Sequence, residues 1–158
     1  MMRDPATWGL PGFPKLSGNE QRISGWRYGE VVLRNGQITA VQARWWPRWG
    51  TVWGAMMDRV VRTLPEDECR FYYSFPIGSP GYMSLLYVHA GERTSYRTFH
   101  QGIVAMDTIA GLRASRAIVC QVTNDRLTDR MMYRWGYVKH AENLGPSHYI
   151  RRLKSSQL

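Results

Sequence analysis

Residues Arg97-Thr98-Phe99-His100-Gln101-Gly102-Ile103 bring a cation, an imidazole and a glycine to a point where a strand gives way to a helix. The first amides of a helix have no partner within it, and the helix dipole places partial positive charge at the same end. That is the chemistry of an anion site, suited to a pyrophosphate. The competing reading is a plain loop-to-helix joint, of which every α/β protein has several. His89 ends the preceding strand. It is a candidate general base, imidazole being the side chain whose protonation changes near neutrality; it would equally serve as a strand-end histidine bonded to backbone. Asn124 ends the next strand, where it can bond a cofactor or cap the following helix. Arg44-Trp45-Trp46-Pro47-Arg48-Trp49, with Trp53 close by, is a basic aromatic cluster. Three functions fit it: stacking on nucleobases, insertion at a membrane interface, or lining an acceptor-substrate pocket. The same rings also suit a core plug whose arginines stay wet. No Cys/His cluster has metal-ligand spacing.

The elements that must position these residues follow from apolar period. Residues 82–89 and 117–122 are apolar runs of strand length, and the segments after each have helical spacing. Strands alternating with helices predict an α/β layer with side-by-side strands, whose ligands bind where strand ends meet helix starts. The functional site is therefore expected on 88–103 and 122–133. Phe99, Ile103, Met106 and Ala110 make one stripe of the first helix; Leu127, Met131 and Trp135 make that of the second, which Gly136 stops. Upstream, Asn35-Gly36 between residues 30–34 and 37–44 predicts a type I′ hairpin. Residues 51–64 read as a helix capped by Thr51 and ended by Pro65. Residues 69–75 read as a strand, joined by the turn 76–81 to an antiparallel partner at 82–89. Residues 137–140 and 148–153 are the final strands. Residues 1–25 are rich in Pro, Gly and polar side chains without a period, and are expected to form an irregular arm; 26–158 is expected to be a single domain.

Composition narrows the classes. The 158 residues hold 44% hydrophobic and 21% charged residues, as an ordinary globular domain does. No apolar run approaches the roughly 20 residues needed to span a bilayer, and no secretory signal opens the chain, so a cytoplasmic protein is expected. Cys69 and Cys120 lie within expected strands and read as buried thiols. The formal charge of +9 attracts phosphates, whether on nucleic acid, a nucleotide cofactor or anionic lipid. An arginine-rich surface with no single target has the same composition.

Two of these joints resemble the GNAT superfamily of coenzyme A-dependent N-acetyltransferases. The family's pyrophosphate loop runs Gln or Arg, two residues, Gly, one residue, then Gly or Ala. Arg97-x-x-His100-x-Gly102 is similar to it, with His100 in place of the first glycine. Met131-Met132-Tyr133-Arg134-Trp135-Gly136-Tyr137 resembles the family's ending after its last long helix; aligned on Gly136, Met132 and not Tyr133 falls where the family often has a general-acid tyrosine. The resemblance covers about 72–153, with one expected strand before residue 82 missing. It implies a mixed central sheet flanked by helices (α/β, or α+β) behind the N-terminal β-hairpin. It implies an acetyl-CoA or other acyl-CoA cofactor whose pantetheine arm pairs with Tyr87, Val88 and His89. The diphosphate would be held near Arg97, His100, Gln101, Gly102 and Ile103, with Asn124 also at the cofactor. His89 and Tyr133 are then the catalytic candidates, and Trp45, Trp46 and Trp49 line the acceptor site. The implied reaction is direct attack of an amine, on a small molecule or a protein, at the thioester. An inactive GNAT-like basic module for nucleic acid or a protein partner is the alternative; a structural or regulatory protein with accidental similarity is the third.

Overall fold

The computed structural model describes residues 12–43, 66–121, 128–140 and 148–153. Asn35 and Gly36 both have positive φ (52° and 79°), as the two central positions of a type I′ turn require. They join β2 (Tyr28–Arg34) to β3 (Gln37–Ala43) as an antiparallel hairpin. β1 (Gly12–Phe13) pairs with the outer side of β3, and α1 (Glu20–Ser24) buries Ile23 completely. Residues 12–25 are therefore structured, against the expectation of an irregular arm. Ile23 is a single apolar anchor on a five-residue helix, too short to leave a period in the sequence.

β4 (Glu68–Ser74) pairs with β2 and with β5 (Tyr82–Ala90), antiparallel in both cases. α2 (Tyr96–Leu112) then crosses over to β6 (Ala117–Gln121), which lies parallel to β5. α3 (Asp129–Arg134), β7 (Val138–Lys139) and β8 (His148–Arg152) complete the described chain. The eight strands are ordered β1-β3-β2-β4-β5-β6-β8-β7. The architecture is α+β: β5–β6 is the one parallel pair in the described sheet, and the layer of side-by-side strands expected from strand–helix alternation is mostly antiparallel. Hairpin turns such as Asn35-Gly36 join antiparallel neighbours, and the α2 segment supplies the long crossover that the parallel pair needs.

The core lies between one face of this sheet and α2. Val31, Phe71, Tyr73, Met83 and Leu85 meet Phe99, Ile103, Met106 and Ile109. Phe71 and Phe99 tilt against each other with ring centroids 5.4 Å apart. α3 ends in a Schellman motif: Tyr137 N–H donates to Met132 C=O (2.9 Å) and Gly136 N–H to Tyr133 C=O (3.0 Å). Gly136 takes the positive φ (85°) that this stop demands. Cys69 and Cys120 are buried free thiols, and burial pushes both upward, Cys120 to about 12. Among the described residues no helix is long and apolar enough to cross a membrane. The helix expected over 51–64 lies outside the described residues.

Candidate functional site

The parallel ladder is described over four steps, from Tyr82↔Ala117 to Leu85↔Cys120. β5 continues to Ala90, whereas the described part of β6 reaches Gln121 and residues 122–127 lie outside the described residues. On its other side β5 stays paired with β4 through Ala90↔Cys69. The ladder there contains a bulge: Tyr72 faces Tyr87 and Tyr73 faces Leu85, leaving Leu86 as the extra residue. On the β6 side no described strand lies beside residues 86–90, since the segment after Gln121 lies outside the described residues. Backbone groups on that side need a hydrogen-bonding partner, from that segment or from a ligand.

The bulge also resets which side chains face α2. Met83 and Leu85 belong to the core before it, and Val88 and Ala90 pack against the core after it. His89 falls on the opposite face, in register with Arg70. That face holds a buried ionic cluster. Glu30 is fully buried, and Glu68 and His89 are 5% and 6% exposed. Arg70 bridges the carboxylates, with Nη1 3.4 Å from Glu30 Oε1 and Nη2 3.4 Å from Glu68 Oε1. Arg34 Nη2 reaches the same Glu68 oxygen at 3.3 Å, and Arg34 Nε lies 3.8 Å from the exposed Glu66. Burial works against the Arg70 charge, but the Glu30 carboxylate, Tyr72 and Glu68 overcome it and raise its pKa above the ordinary arginine value. Buried ion pairs are poor stabilisers compared with apolar packing, so charge gathered on a sheet face marks a candidate site. Sequence reading missed Glu30 and Arg70. The signal available was charge at alternate positions, Glu68-x-Arg70, inside an otherwise apolar strand.

The expected anion seat is organised differently. α2 begins at Tyr96, so His100 and Gln101 stand in its second turn, where helical geometry pairs their amides with the carbonyls of Tyr96 and Arg97. Those two amides do not form an open cradle. The helix end itself is held by an internal carboxylate. Asp67 accepts the Ser95 amide (2.6 Å), the Ser95 hydroxyl (2.8 Å) and the Thr98 hydroxyl (2.8 Å). Ser95 Oγ in turn accepts the Thr98 amide (3.2 Å), and Thr98 Oγ1 accepts the Gly36 amide (2.8 Å). Gly102 is buried, and a Cβ there would enter the Phe71 ring; its lack of a side chain serves helix-on-sheet packing. Ile103 is a core residue. Arg97 lies over Gly36 of the hairpin turn, and His100 stacks on Tyr96 (6.0 Å, 13°). Gln101 is exposed.

Tyr133 is half exposed on α3, whereas Met132 is buried at 3% exposure. The neighbouring Tyr149 hydroxyl donates to Asp129, which also pairs with Lys139 Nζ at 3.0 Å. That bond to Asp129, aided by burial and by the nearby Tyr133 phenol, pushes Tyr149 up to about 12. Trp45, Trp46, Trp49 and Asn124 lie outside the described residues, and no side-chain geometry is described for Tyr87. No group of three or more His, Cys, Asp or Glu among the described residues is placed to hold a metal ion. Compared with protein-family models, curated proteins and solved structures, the chain matches none of them.

Proposed function

We propose that this chain is a GNAT-like, acyl-CoA-dependent N-acyltransferase whose thioester arm pairs with residues 86–90 of β5. The single observation that supports this reading is the Leu86 bulge of β5, which directly follows the last described β5–β6 pair, Leu85↔Cys120. Pantetheine contains two amides in an extended chain. It can satisfy strand backbone groups as a β-strand does, and an acyl carbonyl at its tip can accept from a bulged strand N–H. The amine lone pair attacks the thioester carbon, the C–S bond breaks, and the acyl group passes to nitrogen. His89 takes the amine proton, and the departing thiolate is protonated by Tyr133 or by solvent. Arg70, which pairs with Glu30 and Glu68, lies in register with His89. The diphosphate seat is not placed on the His100 and Gln101 amides, which are helical.

A second reading is favoured by Asp67. Its carboxylate already occupies the α2 N-terminus, so a diphosphate brought there meets a like charge. On this reading the domain is a GNAT-like basic binding module without catalysis. Calorimetric titration with acetyl-CoA and with free coenzyme A separates the two. The transferase reading expects saturable binding and protection of the thioester arm; heat indistinguishable from dilution at millimolar ligand leaves the binding module.

A further inference from the structure

At the opposite end of α2 lies a continuous ladder of arginines and aromatic rings that the acyl-transfer reading does not use. Arg22 sits over the Phe13 ring, 5.8 Å from its centroid. Phe13 stacks on Trp26 at 5.7 Å and 4°. The Trp26 carbonyl accepts Arg113 Nη1 at 3.4 Å, and the Arg113 guanidinium lies 4.3 Å from the Phe75 centroid. Phe75 N–H in turn donates to Arg27 C=O at 2.8 Å. The order is cation, ring, ring, cation, ring, with a third cation beside it. Arg22, Arg27 and Arg113 are all exposed, and none has a carboxylate ion-pair partner among the described residues. Glu20, the one acid of α1, is two positions from Arg22 and so does not share its side of the helix.

We propose that this ladder is a binding surface for the phosphate backbone of nucleic acid. Three features select that partner. The chain carries +9, yet its carboxylates concentrate elsewhere, in the Glu30–Glu68 cluster, at Asp67 and in pairs with Arg151 and Lys139. Arg22 and Arg113 are held over rings, within the roughly 6 Å over which a guanidinium is attracted to an aromatic face. They therefore lose little side-chain freedom on meeting phosphate, which is what makes arginine effective there. The rings face one another and the guanidiniums instead of pointing outward, so the patch lacks the apolar wedge needed for membrane insertion. Ile77 is exposed nearby in sequence, but as a lone aliphatic. Contacts of this kind read charge and not sequence. The surface is distinct from the open end of β5: α2 spans 17 residues, about 25 Å, between Ser95 and Arg113. The inference holds whether or not the chain transfers acyl groups.

The test is fluorescence anisotropy with a labelled DNA duplex of about 20 base pairs, titrated at several salt concentrations between about 50 and 200 mM. The wild-type protein is compared with Arg22→Gln/Arg113→Gln and with Arg130→Gln/Arg134→Gln, which removes the same charge from α3. Arg22→Lys/Arg113→Lys keeps the charge but loses the planar stack, and thermal melts establish that all are folded. The expected result is a roughly 10-fold loss of affinity in the ladder variant, with the slope of log K against log salt smaller by about 1.8, and little change in the α3 variant. The lysine variant falls between. Absence of wild-type binding at the lowest salt, an equal loss in both glutamine variants, or binding to anionic lipid vesicles but not to the duplex would each overturn the proposal.

Discussion

Replacing Asp67 with alanine removes the carboxylate that holds the α2 N-terminus. It accepts from Ser95 and Thr98 there, while the bond from Gly36 to Thr98 and the bond from Asn35 to the Asp67 backbone carbonyl (2.9 Å) remain in the variant. Hydrogen bonds to a charged group contribute about 1.5–3 kcal/mol each. Three of them do not sum here, because the site is half exposed and water replaces part of what is lost. The Thr98 amide also keeps its Ser95 cap. The expected net loss is about 2–3 kcal/mol, which for a chain of this size lowers the melting temperature by about 4–12 °C. The pH dependence has a defined sign. Partial burial pushes the Asp67 carboxyl upward, but the Ser95 amide, the Ser95 and Thr98 hydroxyls and the Arg97 guanidinium outweigh it and hold its pKa below the ordinary value. A carboxyl depressed on folding stabilises above its unfolded pKa of about 3.9, and that stabilisation is lost as pH falls through the folded value. Urea unfolding followed by circular dichroism should therefore show the full gap between wild type and Asp67→Ala at pH 7, still present at pH 5, and narrowing below pH 4. A gap under about 0.5 kcal/mol at pH 7, or one unchanged at the lowest pH that keeps both proteins folded, would refute the role given to Asp67.

Gly102→Ala should destabilise the protein by about 1–3 kcal/mol, since the new methyl enters the Phe71 ring and Phe71 is braced by Phe99; a chemical-denaturation midpoint equal to wild type would contradict that packing. Glu30→Ala leaves Arg70 without one of its two carboxylates and should cost about 1–3 kcal/mol, less than a fully buried pair because the Arg70 side chain is 32% exposed. Glu66→Ala, at the exposed rim of the same cluster, should stay within about 1 kcal/mol of wild type. Equal losses in those two variants would remove the distinction between buried and rim charges. Gly136→Ala places a Cβ residue at a positive φ of 85° and against Arg151, and thermal melts should register a loss of about 1–2 kcal/mol.

The hairpin was legible because Asn35-Gly36 permits little else, and α2 because Phe99, Ile103, Met106 and Ala110 repeat at helical spacing and all proved buried. The strands 68–74, 82–90 and 117–121 were legible as apolar runs. What sequence left out is non-local. Asp67 reaches α2 across a gap of 28 residues to Ser95, and Glu30 meets Arg70 across 40. The alternation Glu68-x-Arg70 flags charge on one strand face, but nothing in either segment says which residue it meets. The helix itself was legible, but its cap was not: Ser95 accepts the Thr98 amide three positions on, and in sequence the later glycine was the more conspicuous residue. Gly102 carries a steric signal, and a steric glycine looks the same in sequence as one that admits a phosphate. The ladder at Phe13, Arg22 and Trp26 escaped because proline and glycine around it suggested an arm without order.

The most direct test of the acyl-transfer account is the response of individual backbone amides to ligand. Amide proton–nitrogen spectra recorded with and without acetyl-CoA should show the largest shifts, and slowed hydrogen exchange, within residues 86–90 and around Gln121, at the end of the described β5–β6 ladder. Perturbation confined to the Arg22–Arg113 end of the molecule, or spectra unchanged at millimolar ligand, would contradict a thioester arm lying along β5.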